Sequence, residues 1–102
     1  MLALIHAELV LHDHFMPEAV LFIEDGIISG FGEMRTTPIL DGCEIIDLKG
    51  AYLGPGMIDI HTHGADGVFF PEDPLRAARF FLRHGTTTDL PALYFSLNTA
   101  QY

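Results

Sequence analysis

The sequence predicts an α/β chain: a small all-β first half, then a strand, a helix and a second strand. Three observations carry this. Residues 1 to 53 hold short apolar runs separated by turn text; the segment "DPLRAARFFLRHG" has nearly every helix start and stop residue; and "MIDI" before it and "TTTDLPALYF" after it read as strands. Strand, helix, strand in that order implies a parallel crossover. The length of 102 residues allows about one small domain. Within it the grammar changes at Gly54, dividing a β segment at 1–53 from a crossover segment at 54–102.

Taken in order, "LALIHAELVL" reads as a first strand and "HDHFMPE" as a turn. "AVLFIEDGIISGFGE" is two strands joined at Asp25 and Gly26, since Asp-Gly between apolar runs is the strongest short hairpin signal. A loop with Thr36, Thr37, Pro38, Asp41 and Gly42 leads to "CEIIDLKG" and "AYL". The first half is therefore expected to be antiparallel. In the second half, Asp73 is placed as helix N-cap, Pro74 at the first helical position, Arg83 and His84 in the last turn, and Gly85 as the stop. Leu75, Ala78 and Leu82 form an apolar stripe, with Arg76, Arg79 and Arg83 on another that is read as solvated. "SLNTAQY" is expected to open a second helix, capped by Ser96 or Asn98.

Composition limits the function classes. Fourteen acids against five bases give a formal charge of -9, which repels phosphate backbones and argues against nucleic acid and anionic membrane as partners. Apolar residues make up 49% without glycine, and with glycine they exceed the usual share, so some apolar surface is expected to need cover. Cys43 is alone, which rules out an internal disulfide and suits a reducing cytoplasm; it has no His or basic neighbour to activate it. The opening "MLALIHAELVLHDHF" lacks a basic lead and carries Glu8 and Asp13, unlike a signal peptide. No apolar run approaches the ~18 residues of a membrane span.

The chemistry concentrates in "GPGMIDIHTHGADG". Side chains alternate along a strand, so Met57, Asp59, His61 and His63 share a face. With ~3.3 Å of rise per residue, the two His Cα atoms lie ~6.6 Å apart, and both rings can reach one metal at ~2.0–2.1 Å. Imidazole suits zinc and its first-row relatives, and Asp59 could steady the arrangement from behind the ligands. Gly64 leaves room for a substrate. His12 and His14 have the same spacing in an acidic turn with no buried strand leading in, and are read as solvated. His6 is read as structural, and His84 as a helix cap interacting with the dipole.

These residues resemble a known family. "GPGMIDIHTHG" is similar to the first barrel strand of the amidohydrolase superfamily, in which the His-x-His pair binds a catalytic divalent metal inside a TIM-type (β/α)8 barrel. "AVLFIEDGIISGFGE" and "IIDLKGAYLGPG" resemble its N-terminal β-sandwich segment. "HTHGADG" with "HGTTTDLPAL" most resembles the N-acetylglucosamine-6-phosphate deacetylases, and adenine deaminases carry similar His-Gly-Thr-Thr-Thr text. Asp89 departs from the pattern, standing where an apolar residue or hydroxyl is more usual.

The resemblance implies that 1–53 is the β-sandwich segment and 54–102 the opening of an incomplete barrel, which needs ~250 residues. It implies one or two zinc ions on His61 and His63, an amino-sugar phosphate as substrate, a homo-oligomer and a cytoplasmic location. A catalytic zinc takes about three protein ligands, of which two are here. The chain is thus expected to be an N-terminal fragment, inactive alone, of an enzyme that hydrolyses an amide C–N bond. The alternatives are a dihydroorotase-like or adenine deaminase-like enzyme, a noncatalytic interaction module, and a cupin-type barrel. The last wants a Glu where Asp66 and Gly67 stand.

Overall fold

The computed structural model describes residues 1 to 92 and forms two compact units, Met1–Pro55 and a second beginning at Gly56. The first unit holds β1 (Leu2–Val10), β2 (Phe15–Glu24), β3 (Ile27–Glu33), β4 (Glu44–Asp47) and β5 (Tyr52–Leu53). They make one sheet in the order β3-β2-β1-β4, with β5 also on β1. The hairpin between β2 and β3 turns at Asp25 and Gly26, both at positive φ (51° and 75°), the backbone that a tight turn matched to strand twist requires.

The sheet is mixed, and the expected all-antiparallel arrangement is corrected. β4 and β5 run parallel to β1, Ala3 beside Ile45 and Leu9 beside Leu53. A two- to five-residue loop would have returned the chain as a hairpin, but the connection from Met34 to Cys43 is longer and carries it across to the far edge of β1. The strand β2 also begins earlier than the turn text suggests, at Phe15, where Val10 pairs with Phe15. Ala7, Leu9 and Ala19 form the buried centre, ringed by Leu11, Met16, Leu21, Leu48 and Leu53.

A register shift between Leu4 and Ala7 marks a bulge in which His6 and Glu18 both have left-handed backbones (φ 52° and 47°). Their side chains meet, His6 Nδ1 lying 2.9 Å from Glu18 Oε2. The hydrogen bond that His6 donates to the Glu18 carboxylate raises the His6 pKa above its ordinary 6.5, opposed by desolvation and helped by the Asp47 and Glu18 charges. His6 is thus structural, as its place on β1 suggested.

The second unit has β6 (Met57–Thr62), β7 (Gly64–Ala65), β8 (Val68–Phe69), α1 (Pro74–Arg83) and β9 (Thr86–Pro91). β6 and β9 are parallel, with α1 as the crossover. Asp73 Oδ1 accepts from the Arg76 amide, Pro74 stands at the first turn and Gly85 follows the helix at φ 90°. The His84 ring donates to the Phe80 carbonyl at 2.8 Å, satisfying one of the helix's terminal acceptors.

The buried face of α1 differs from the expected one. Ala77 is fully buried, Phe80 and Phe81 are half-buried, and Phe81 stacks on Phe70. Leu75 and Leu82 are 65% and 62% exposed. The aromatic pair has more area to hide than the leucines, so it takes the contact surface and turns the leucine stripe outward. The continuation of β9 and the helix expected at "SLNTAQY" lie outside the described residues.

Candidate metal centre

The site begins with backbone geometry at the end of β6. Asp59 Oδ1 accepts from the backbone N–H of His61 at 3.1 Å, a local bond that fixes the strand at the first histidine. Thr62 between the histidines is buried, and its carbonyl accepts from Ala92 at 2.7 Å. The side chains of His61 and His63 therefore emerge together from a strand end tied to the end of β9. His61 is exposed and His63 half-buried.

The rings lie edge to face, centroids 5.0 Å apart at 87°. Two imidazoles sharing one tetrahedral ion through nitrogens about 2.0–2.1 Å away would have centroids about 5 Å apart, so the pair fits a common divalent cation. The second ring is also oriented: His63 Nδ1 lies 2.7 Å from the Ala92 carbonyl oxygen. A carbonyl can only accept, so Nδ1 carries the hydrogen, the bond by which a metal-binding histidine is oriented to ligate through its other nitrogen. Among the described residues, no group of three or more His, Cys, Asp or Glu is placed to hold a metal.

The other histidine pair has different surroundings. His14 Nδ1 lies 2.5 Å from Asp13 Oδ1, and His12 Nε2 lies 3.7 Å from Asp13 Oδ2. Both sit on the exposed turn between β1 and β2. The Asp13 carboxylate is hydrogen-bonded to the His14 ring, and His12 lies within ion-pair distance of it.

Gly64 follows the histidine pair at a position that admits no side chain. A Cβ there would run into the Val68 carbonyl oxygen and the Phe69 Cα across the β7–β8 ladder. The hairpin borders a groove beside His63 lined by Gly64, Ala65, Gly67, Val68, Phe69 and Glu72. Its base is tied to the helix by Asp66, whose Oδ2 accepts from Arg76 Nε at 2.9 Å. That bond and the Arg76 charge hold the Asp66 carboxyl below the usual carboxylate range and raise Arg76. Arg76 is thus paired, and does not stand on a purely solvated stripe.

Two groups near the site are hidden from sequence reasoning. The Ala92 carbonyl and the Glu72 carboxylate reach the site through tertiary structure, which no local motif encodes. Asp89 was visible as a departure, and the register sets it beside Asp59 on the neighbouring strand. Its Oδ1 is buried without a hydrogen-bond partner among the described residues.

No family model matches the chain. An adenine deaminase from Methanoculleus marisnigri is 44% identical over 66 residues, 65% of this chain and 11% of that protein. An imidazolonepropionase from Phocaeicola vulgatus is 36% identical over 58 residues, 57% of this chain and 14% of that protein. A solved N-acetylglucosamine-6-phosphate deacetylase from Pasteurella multocida superposes on 97% of this chain with a TM-score of 0.76 and 25% identity. The chain belongs to the amidohydrolase superfamily. It matches the N-terminal part of such enzymes, with a small β domain preceding the strand that carries the histidines. This amidohydrolase chain spans about a tenth of the length of those curated relatives and 27% of the solved deacetylase.

Proposed function

We propose that His61 and His63 hold a divalent metal, zinc by donor type, in an enzyme that hydrolyses a C–N bond of a small molecule. The observation that carries this reading is the ring pair itself, 5.0 Å apart, with His63 Nδ1–H engaged by the Ala92 carbonyl. Residues 54–102 are then the opening of a (β/α)8 barrel and residues 1–53 its β-sandwich segment. The histidines stand at the C-terminal end of a parallel strand, where barrel active sites form.

A divalent ion held there supplies a Lewis acid that acidifies water and polarises a carbonyl. This chain's own contribution is positional. Asp59 fixes the backbone under His61, Ala92 sets the tautomer and tilt of His63, and Gly64 keeps the approach open. Both histidines are ligands in this reading and neither is the base; for His63, a ring committed to a metal and to the Ala92 carbonyl has no nitrogen left to move a proton. The third ligand and the proton carrier belong to residues other than those described.

For the substrate, the likeness to the Pasteurella multocida deacetylase over 97% of the chain supports deacetylation of N-acetylglucosamine 6-phosphate. The 44% identity to an adenine deaminase supports a second reading, hydrolytic removal of an exocyclic amine. Zinc titration followed calorimetrically tests the metal assignment. The His61→Ala/His63→Ala double variant is expected to lose uptake and the His12→Ala/His14→Ala variant to keep it; the reverse result would reject the chosen pair.

A further inference from the structure

We infer that the outer face of α1 docks an acidic amphipathic helix of another polypeptide, which sets apolar side chains on Leu75 and Leu82 and carboxylates on Arg79 and Arg83. At 3.6 residues per turn, Leu75 and Leu82 lie ~140–160° around the helix from Ala77. Ala77 is fully buried and Phe81 stacks on Phe70, whereas the two leucines are 65% and 62% exposed. A solvated outer face would carry polar side chains in their place. Leu75, Ala78 and Leu82 instead put a large, a small and a large apolar residue at i, i+3 and i+7. That is the seam into which a second helix packs, and the small residue lets it come close. In the barrel reading of this unit, the helices form a ring and neighbours take the flanks of α1. The occupant of its outer face is therefore a helix of another chain.

Charge selects the occupant. Three of the five basic residues in a chain of net charge -9 stand on this helix, which has no acid of its own. Arg76, Arg79 and Arg83 line one shallow hollow with Leu75 and Leu82. The two carboxylates of that hollow, Asp66 and Asp73, are both bonded to Arg76, one to its side chain and the other to its backbone N–H. Arg79 and Arg83 make no ion pair with a described residue. A second copy of α1 on this face would set arginine against arginine, a repulsive element that selects against it. A helix with Glu or Asp beside its apolar seam meets the same arginines with opposite charge.

The test needs no metal, so its outcome is independent of the histidine assignment. The probes are two synthetic helical peptides of about three heptads, each with leucine at every seventh position, one with glutamates beside the leucines and the other with lysines. The reporters are the backbone amides of residues 75–84 in the nitrogen-15-labelled chain. The glutamate peptide is expected to shift these amides saturably and the lysine peptide to leave them in place. Leu75→Ser/Leu82→Ser should weaken the glutamate peptide about tenfold with the unliganded spectrum preserved. Arg79→Glu/Arg83→Glu should transfer the preference to the lysine peptide, and this swap alone decides if the serine variant loses its spectrum. Binding of neither peptide or of both equally, shifts confined to residues away from α1, or a preference unmoved by the charge swap would overturn the inference. Concentration-dependent shifts of the α1 amides without peptide would overturn it in favour of a second copy.

Discussion

His63 is held by a carbonyl 29 residues later in the chain, and that contact shows how far single residues can be read from sequence. Alternation on a strand was enough to place His61 and His63 together, whereas which ring nitrogen carries the hydrogen depends on Ala92, and no spacing rule reaches it. Gly64 gives a direct test. Gly64→Ala forces its Cβ against backbone atoms of Val68 and Phe69, which cannot move aside as a flexible side chain could. A loss of about 1–3 kcal/mol is expected, measured by urea denaturation, with the β7–β8 amide signals displaced. His6 gives a pH test. Its folded pKa lies above 6.5, so its contribution to stability is complete below that value and fades as pH rises through the raised one. The urea midpoint should fall as pH rises from below 6.5 through the raised pKa, and His6→Gln should flatten that part of the profile. Asp66 works in the opposite sense: its carboxyl is lowered from 3.8 by Arg76, and its contribution disappears as pH falls through the lowered value.

At the scale of elements, the helix ends were legible and the helix face was not. Asp73, Pro74 and Gly85 act through bonds within one turn, which sequence encodes directly. Asp73→Ala should cost about 0.5–2 kcal/mol, seen as a lower thermal midpoint and weaker helical circular dichroism. The face was misjudged because periodicity offers two apolar stripes, Leu75/Ala78/Leu82 and Ala77/Phe80/Phe81, and only the partner Phe70 chooses between them. Leu82→Ser is accordingly expected to change the stability of this chain by less than about 0.5 kcal/mol, whereas Ala77→Leu, overfilling a fully buried site, should cost about 1–3 kcal/mol. The mixed first sheet was hidden for a related reason. The strands of β4 and β5 were readable as apolar runs, but their direction relative to β1 is set by where a long loop returns.

For the whole molecule, the excess of apolar residues reappears as bare surface. Ile58 and Ile60 of β6 are 67% and 76% exposed, and Ile27, Ile28, Phe31, Ile45 and Tyr52 of the first sheet are exposed as well. So many exposed apolar side chains favour association in water, and the charge of -9 opposes it through repulsion that salt screens. Sedimentation velocity should therefore show larger species as salt is raised, and Ile58→Lys/Ile60→Glu should suppress them without lowering the thermal midpoint.

The hydrogen bond from His63 to Ala92 makes one ring answerable to a strand that comes later in the chain. Until β9 lies alongside β6, that imidazole can turn over and offer either nitrogen, so under the proposed metal reading tight cation capture should lag behind assembly of the strand pair. A cation added early in refolding would then serve as a clock, its uptake timing the moment the two parallel segments zip together.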